Sequence, residues 1–94
     1  MAELIHSHSA HVRTLDGEIF RTRIYGDRQA DGLWIGWLEF EDELGRAMLR
    51  TDRETTQPNR DALEYWASGL EAVYVEGAFS RAQLIAPRAT RVSA

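Results

Sequence analysis

The feature that most constrains the fold is the run of residues 33–40, which is apolar on both sides of an extended strand. Successive side chains of a strand point to opposite faces, so Leu38 and Phe40 would share one face with Trp34. The other face would carry three further apolar side chains, Leu33, Ile35 and Trp37. Strands that are apolar on both faces are usually central and covered on both sides. The run therefore predicts the central strand of a sheet.

Other parts of the chain have the pattern of antiparallel strands. Asp16-Gly17 lies between two strand-like runs, residues 10–15 and 18–25. This dipeptide is a strong hairpin signal because both turn positions favour positive φ. Two more strands are predicted downstream, at residues 46–52 and 72–79.

A single helix is predicted at roughly residues 58–68, from the spacing of its apolar residues. Pro58 fits the first turn of a helix, where its missing N–H costs nothing. The hydroxyl of Thr56 could cap this helix, although Gln57 could also take the extended position before the proline. The apolar residues at helical spacing are Ala62, Leu63, Trp66, Ala67 and Leu70.

These elements predict a small α+β protein in the order β-β-β-β-α-β. Its antiparallel sheet would have about four to five strands, with the helix packed on one face. The chain of 94 residues is long enough for one domain, predicted here at residues 1–82. After Phe79 the sequence loses its pattern, and residues 83–94 are predicted to form a flexible tail.

Composition excludes several classes of protein. The chain has no cysteine, which rules out disulfides, thiolate metal sites and a cysteine nucleophile. A net charge of −4 is unfavourable for general nucleic-acid binding, which usually depends on a basic excess. The sequence shows neither a secretory signal nor an apolar run long enough to span a bilayer. We therefore expect a cytoplasmic bacterial protein that does not act at a membrane.

The second apolar face of the central strand needs a cover, because one short helix can shield only one side of the sheet. Leu33, Ile35 and Trp37 are therefore predicted to form the interface of a homodimer. The chain termini are the competing cover for this face. For Trp37, a surface that binds an unknown protein partner or stacks on a ligand is the other interpretation.

A polar segment, residues 53–57, precedes the predicted helix and suggests an anion site. Helix N-termini carry free N–H groups and partial positive charge, which together favour anions. The candidate ligand-binding residues are Arg53, Thr55, Thr56 and Gln57. In the alternative interpretation, the two threonines only cap the helix and the arginine pairs with a neighbouring carboxylate.

Other combinations of residues give weaker functional signals. His6 and His8 would share one side of a strand, with His11 out of register, so no metal site and no cofactor are predicted. The serines lie near the termini or on the helix, and none is in a strained elbow, so no catalytic residue is predicted. Arg21 and Arg23 beside the tryptophans would support only weak nucleic-acid binding.

Four segments carry a resemblance to a known family. The chain contains DGLWIGWLEF at residues 31–40, RETTQP at residues 53–58, LEYWASGL at residues 63–70 and YVEGA at residues 74–78. In this joint pattern it resembles a family of small uncharacterised bacterial proteins over residues 17–82. The resemblance implies a stand-alone bacterial protein and no particular activity.

The sequence thus favours a non-enzymatic interaction or regulatory protein that acts as a homodimer. A module that binds a small anion or an acidic ligand at the helix N-terminus is the first alternative. Weak, salt-dependent binding of nucleic acid is the second alternative, and the negative net charge makes it the least favoured of these functions.

Overall fold

The structure, a computed structural model, describes residues 1–87 of the 94, with side chains through residue 84. It consists of an antiparallel sheet of six strands and two helices. The predicted α+β class and the antiparallel sheet are confirmed. In chain order the elements are β1 (Glu3–Arg13), β2 (Ile19–Arg28), β3 (Trp34–Asp42), β4 (Ala47–Arg50), β5 (Thr55–Gln57), α1 (Arg60–Ser68), α2 (Ala72–Arg81) and β6 (Gln83–Pro87).

Strand β3 lies in the middle of the sheet, as the apolar run indicated. The main strand order is β1-β2-β3-β4-β6, and β5 also pairs with β3. Residues 39–41 pair with β4, whereas residues 34–36 pair with β5. Between these segments the backbone N–H of Thr51 donates to the carbonyl oxygen of Leu38 at 3.0 Å. Strands β4 and β5 therefore form one interrupted neighbour of β3.

Both helices pack on the same face of the sheet and form the core with it. Helix α1 contributes Leu63 and Ala67, and α2 contributes Val75 and Ala78, all of them buried. The sheet contributes the buried side chains of Ile5, Val12, Phe20, Ile24, Leu38 and Phe40. The Cα atoms extend only 18 Å along the shortest axis of the molecule. The protein is therefore a two-layer structure, one sheet and one layer of helices.

Helix α1 approaches the sheet so closely that two glycines lie beneath it. Gly26 of β2 and Gly36 of β3 are register partners in adjacent strands. A Cβ added at Gly36 would lie 2.6 Å from Cδ1 of Leu63, and one at Gly26 would lie closer still to Cδ2. Leu63 is fully buried, so its side chain has little room to move. The absence of side chains at these two positions sets the distance between helix and sheet.

The second helix corrects the prediction of a single helix and of a strand at residues 72–79. Val75 and Ala78 are buried, whereas Val73 is 71% exposed. A strand would place Val73 and Val75 on the same face, but a helix separates them by about 200°. Periodicity does not distinguish short apolar runs of strand from buried helix, which is why the sequence was misleading here.

Helix α1 starts later than predicted and has a different cap. It begins at Arg60, and the side chain of Asn59 accepts a hydrogen bond from the backbone N–H of Ala62 at 2.8 Å. Thr56, the predicted cap, belongs to β5 and pairs with Ile35 of β3. Pairing with β3 keeps residues 55–57 extended, so the helix cannot start until the strand has ended.

Three strands include residues for which no strand was predicted. Strand β5 lies within the polar segment 53–57, and β1 extends the predicted strand at residues 10–15 back to Glu3. Strand β1 pairs with β2 through two irregularities in register. Strand β6, residues 83–87, lies in the predicted tail and pairs with β4. Its position shows that the sheet continues beyond residue 82. The remainder of the predicted tail, residues 88–94, lies outside the described residues.

The close approach of α1 predicts that Gly36→Ala destabilises the protein. The added methyl group overpacks the contact with Leu63, which should lower the free energy of unfolding by about 1–3 kcal/mol, measured by urea denaturation. Gly77→Ala is the matched control, because a Cβ there would meet Arg81 at an ordinary 3.5 Å. This control replaces a glycine within a helix and should be neutral or stabilising by up to about 1 kcal/mol. Equal stability of the two variants would contradict the packing argument.

Candidate functional site on the open face of the sheet

One face of the sheet has no helix on it, and we call it the open face. Both helices pack on the opposite side, and within residues 1–87 no other element forms a layer over the open face. Its side chains include those of Leu4 and Ser7 on β1, Ile19, Arg21, Arg23, Tyr25 and Asp27 on β2, Ile35, Trp37, Glu39 and Glu41 on β3, and Met48 and Arg50 on β4. The face therefore combines apolar, cationic and anionic side chains.

Trp37 and Tyr25 form the apolar centre of the open face. They are register partners on β3 and β2. The indole Nε1 of Trp37 donates to Oε2 of Glu39 at 3.0 Å, and the guanidinium of Arg50 lies 5.4 Å from the centroid of the indole ring. These neighbours leave Trp37 only 8% exposed. The tryptophan is thus held in a fixed position by its own chain, with its indole N–H already bonded.

The other predicted interface residues are more accessible than Trp37. Leu33 is 39% exposed and immediately precedes β3, while Ile35 is partly buried on the open face. The structure therefore brings Ile35 and Trp37 together on one uncovered surface. Much of the tryptophan, however, is already packed within the chain, because Glu39 and Arg50 flank it.

Charged side chains on the open face lie in two adjacent rows of opposite sign. Arg21 and Arg23 form the cationic row on β2, and Glu39 and Glu41 form the anionic row on β3. In the register, Arg21 is opposite Glu41 and Arg23 is opposite Glu39. A diagonal ion pair joins Nη1 of Arg23 to Oε1 of Glu41 at 3.1 Å. The two rows thus partly neutralise each other within the chain.

A groove of about 390 Å³ borders the open face where β3 meets the link between β4 and β5. One part of its wall is apolar, from Ile35 and Trp37, and another is cationic, from Arg50 and Arg53. The remaining lining residues are Ala2, Asp27, Thr51 and Asp52. Of these, Asp27 has its carboxylate 3.0 Å from the amino group of Met1. The groove can accept a small anion only on the side of the two arginines.

The four residues of the predicted anion site do not converge. Arg53 lies in the groove, whereas Thr55 and Gln57 have the opposite side-chain direction from Thr56 in β5. The side-chain amide of Gln57 donates to the hydroxyl of Thr55 at 2.6 Å. The helix N-terminus is capped by Asn59 instead. Only Arg53 of this set therefore shares a site with another predicted residue, Trp37.

A carboxylate that was not identified from the sequence connects the segment between β4 and β5 to helix α2. The side chain of Glu54, 9% exposed, accepts hydrogen bonds from the hydroxyl of Tyr74 at 2.5 Å and from Nη2 of Arg81 at 2.6 Å. The guanidinium of Arg81 also lies 5.7 Å from the Tyr74 ring, which packs edge-on against Trp66. No local signal could reveal this cluster, because its members lie 20 and 27 residues apart in the chain.

The pKa values of Glu54 and Tyr74 fit a structural role for this cluster. Burial would raise the pKa of Glu54, but hydrogen bonds from Arg81 and Tyr74 outweigh it, and the pKa lies below its usual value. Burial and the hydrogen bond to Glu54 raise the pKa of Tyr74 to about 12. Neither group changes its charge near neutral pH, so the pair is unsuited to general acid–base catalysis there.

One of the histidines that raised the question of a metal site, His8, is engaged in hydrogen bonds within the chain. His8 uses both ring nitrogens, Nε2 with the carbonyl oxygen of Leu70 at 2.7 Å and Nδ1 as acceptor from the Ala10 N–H at 3.0 Å. The described part of the chain contains no group of three or more residues placed to bind a metal ion. Across residues 1–87, no helix has the length and apolar character needed to cross a bilayer.

The depressed pKa of Glu54 predicts how stability depends on pH. Glu54→Gln should lower the free energy of unfolding at neutral pH by about 1–2 kcal/mol, because charged hydrogen bonds are lost. In the native chain this contribution is complete above the unfolded-state pKa of about 4.3 and is lost as the pH falls through the folded-state pKa. Urea denaturation of both proteins from neutral to acidic pH should therefore show a difference that shrinks at low pH.

The matched control for this prediction is Glu64→Gln on α1. Glu64 makes an exposed ion pair with Arg60 at 3.5 Å, and such pairs contribute at most about 1 kcal/mol. Its substitution should change stability much less than Glu54→Gln. A stability difference for Glu54→Gln that persists unchanged in acid would contradict the proposed charge effect.

Comparisons with known proteins do not assign this chain to a family. No family model matches the chain, and neither a curated protein nor a solved structure shows a significant match to it. The resemblance of residues 17–82 to a family of small uncharacterised bacterial proteins therefore stays a prediction.

Proposed function

We propose that this chain is a non-enzymatic interaction module that acts as a homodimer through the open face of its sheet. One observation carries the proposal: both helices cover the same side of the sheet, while the side with Tyr25, Ile35 and Trp37 has no covering layer within residues 1–87. A sheet face with apolar residues at its centre is stabilised when a second layer packs on it.

The size of the face is adequate for a protein partner. The Cα atoms extend 41 by 33 Å in the plane of the layers. A stable interface of standard size buries roughly 800 Å² on each partner, and a patch of that size fits within these dimensions. A sheet face without a covering layer among residues 1–87 favours another sheet as the partner, since sheets pack face to face in many two-layer proteins.

The composition of the face favours a second copy of the same chain. A twofold dimer buries the same patch on both subunits, so the patch must be complementary to itself. The open face meets this requirement because it holds two arginines and two glutamates in adjacent rows, beside the pair formed by Tyr25 and Trp37. A partner of uniformly positive or negative charge would leave one of the rows unmatched.

Measurement of molecular mass tests the homodimer directly. Light scattering during size-exclusion chromatography should give twice the chain mass of 10.7 kDa at high concentration. Ile35→Ser removes an apolar side chain from both halves of the interface, and we expect it to weaken the dimer at least about tenfold in Kd. Leu15→Ser is the matched control, because Leu15 is fully exposed in the turn between β1 and β2.

The result that contradicts the proposal is a mass of one chain at every concentration tested. Circular dichroism of both variants separates loss of the dimer from loss of the fold. A dimer that is weakened equally by Ile35→Ser and Leu15→Ser would place the interface elsewhere on the molecule.

A second function, binding of a small anion, is favoured by the groove beside Trp37. Arg50 and Arg53 both line it, and among residues 1–87 no carboxylate lies within ion-pair distance of either guanidinium. The planar guanidinium suits carboxylate and phosphate groups. This site replaces the helix N-terminus as the location of the predicted anion binding, with Arg53 as the shared residue.

Titration with inorganic phosphate tests the second function. In NMR spectra, the amide signals of Asp52 and Arg53 should shift and saturate as phosphate is added. Arg53→Gln should abolish the shifts, whereas Arg28→Gln, an equal change at an exposed residue at the end of β2, should preserve them. Shifts that never saturate, or that survive Arg53→Gln, would rule out a specific site in this groove.

A further inference from the structure

The two charged rows of the open face restrict how two copies can meet. We infer that the copies pack face to face around a twofold axis that runs parallel to β2 and β3, midway between these strands. In this arrangement the cationic row of each copy lies over the anionic row of the other. The inference rests on the proposed homodimer and specifies which residues recognise the second copy.

The strand register determines which residues would meet. Arg21 and Glu41 lie at one level of the sheet, and Arg23 and Glu39 lie at the next level on the same face. A rotation of 180° about an axis parallel to the strands exchanges β2 and β3 but preserves each level. It therefore places Arg21 opposite the partner's Glu41.

The apolar centre of the face follows the same rule. Tyr25 and Trp37 share a level, so the axis places Tyr25 of each copy opposite the partner's Trp37. Tyrosine is favoured at interface centres, and the partly buried Tyr25 would supply more apolar burial than Trp37, which is only 8% exposed in the single chain. One twofold axis therefore produces both the aromatic contacts and the contacts between rows of opposite charge.

The outer strands are also compatible with this axis. Strands β1 and β4 flank the β2–β3 pair, so the rotation places β1 of one copy over β4 of the other. Arg50 of β4 shares its level with Glu39, and the exposed Ser7 of β1 shares its level with Arg23. Arg50 therefore faces a neutral serine and not another cation.

The main alternative axis opposes like charges. A twofold axis in the interface but perpendicular to the strands would place β2 of one copy over β2 of the other. With this axis midway between the two charged levels, the cationic row would face a cationic row and the anionic row would face an anionic row. Like charges across an interface are unfavourable, so the charge pattern discriminates between the two arrangements.

Sheet twist does not remove this discrimination. Packed sheets lie about 10 Å apart and their strands cross at about 30°. The two levels of the charged rows are separated by roughly 7 Å, the rise of two residues in a strand. When the strands of the two sheets cross midway between these levels, each level lies about 3.5 Å from the crossing point. A crossing of 30° then displaces its residues sideways by about 1.8 Å, which is less than half of the spacing of about 4.8 Å between strands. Each arginine thus remains nearest to the partner's anionic row.

Charge reversal at Arg21 tests the arrangement. Arg21 is exposed, so Arg21→Glu should leave the fold intact while placing a glutamate opposite the partner's Glu41. Because the contact occurs twice in the dimer, we expect the Kd measured by sedimentation to rise at least about tenfold. The combined change Arg21→Glu and Glu41→Arg reverses the contact as a whole and should restore dimer formation.

The control is Arg28→Glu, which makes the same charge change on β2 in register with Trp34 on the side of the helices. It should leave the Kd unchanged within about twofold. A second measurement uses the native protein: the dimer should weaken as salt rises from about 50 mM to about 500 mM, because attraction between the rows is screened.

Each outcome has a distinct meaning. Absence of any dimer refutes both the proposed function and this inference. A dimer that tightens with Arg21→Glu, or with added salt, refutes the inference alone and supports the perpendicular axis. A dimer indifferent to Arg21→Glu also overturns the inference, because the charged rows then lie outside the interface.

Discussion

The packing of Leu63 on the bare backbone of Gly26 and Gly36 is the contact on which the rest of the structure depends. It brings α1 down onto the two central strands, where no Cβ would fit between the helix and the sheet. With α1 fixed there, the apolar residues of α2 complete the same core. Both helices therefore occupy one face. The other face of β3, which also carries apolar residues, has no covering layer among residues 1–87.

Partly exposed polar contacts stabilise this layer of helices at its margin. Glu54 lies in the segment between β4 and β5 and accepts hydrogen bonds from Tyr74 and Arg81, which come from the first and last turns of α2. The same segment between β4 and β5 also contains Arg53, which lines the groove beside the open face. Alternating side-chain directions along an extended segment thus give neighbouring residues opposite roles, one in stability and one at the candidate binding surface.

On the open face, adjacent rows of opposite charge have two consequences. Within one chain they satisfy each other in part, as the pair of Arg23 and Glu41 shows, which keeps an uncovered sheet compatible with water. Between two copies they would select the orientation of the dimer. Rows of opposite charge face each other around the axis parallel to the strands, whereas rows of like charge face each other around the perpendicular axis. The aromatic centre of Tyr25 and Trp37 would supply apolar burial, while the charges would determine how that burial is achieved.

The sequence by itself determined the class of the fold and its central strand. Alternation along β3 separated Leu38 and Phe40 from Ile35 and Trp37, because strand periodicity is a local property. It did not determine the helix at residues 72–81, the pairing of β5, or the contact between Glu54 and Arg81. A short apolar run is ambiguous until a core selects the face it buries, and residues distant in the chain meet only when packing brings them together. Tertiary structure alone therefore decided that both helices share one face and that Arg53 lies beside Trp37.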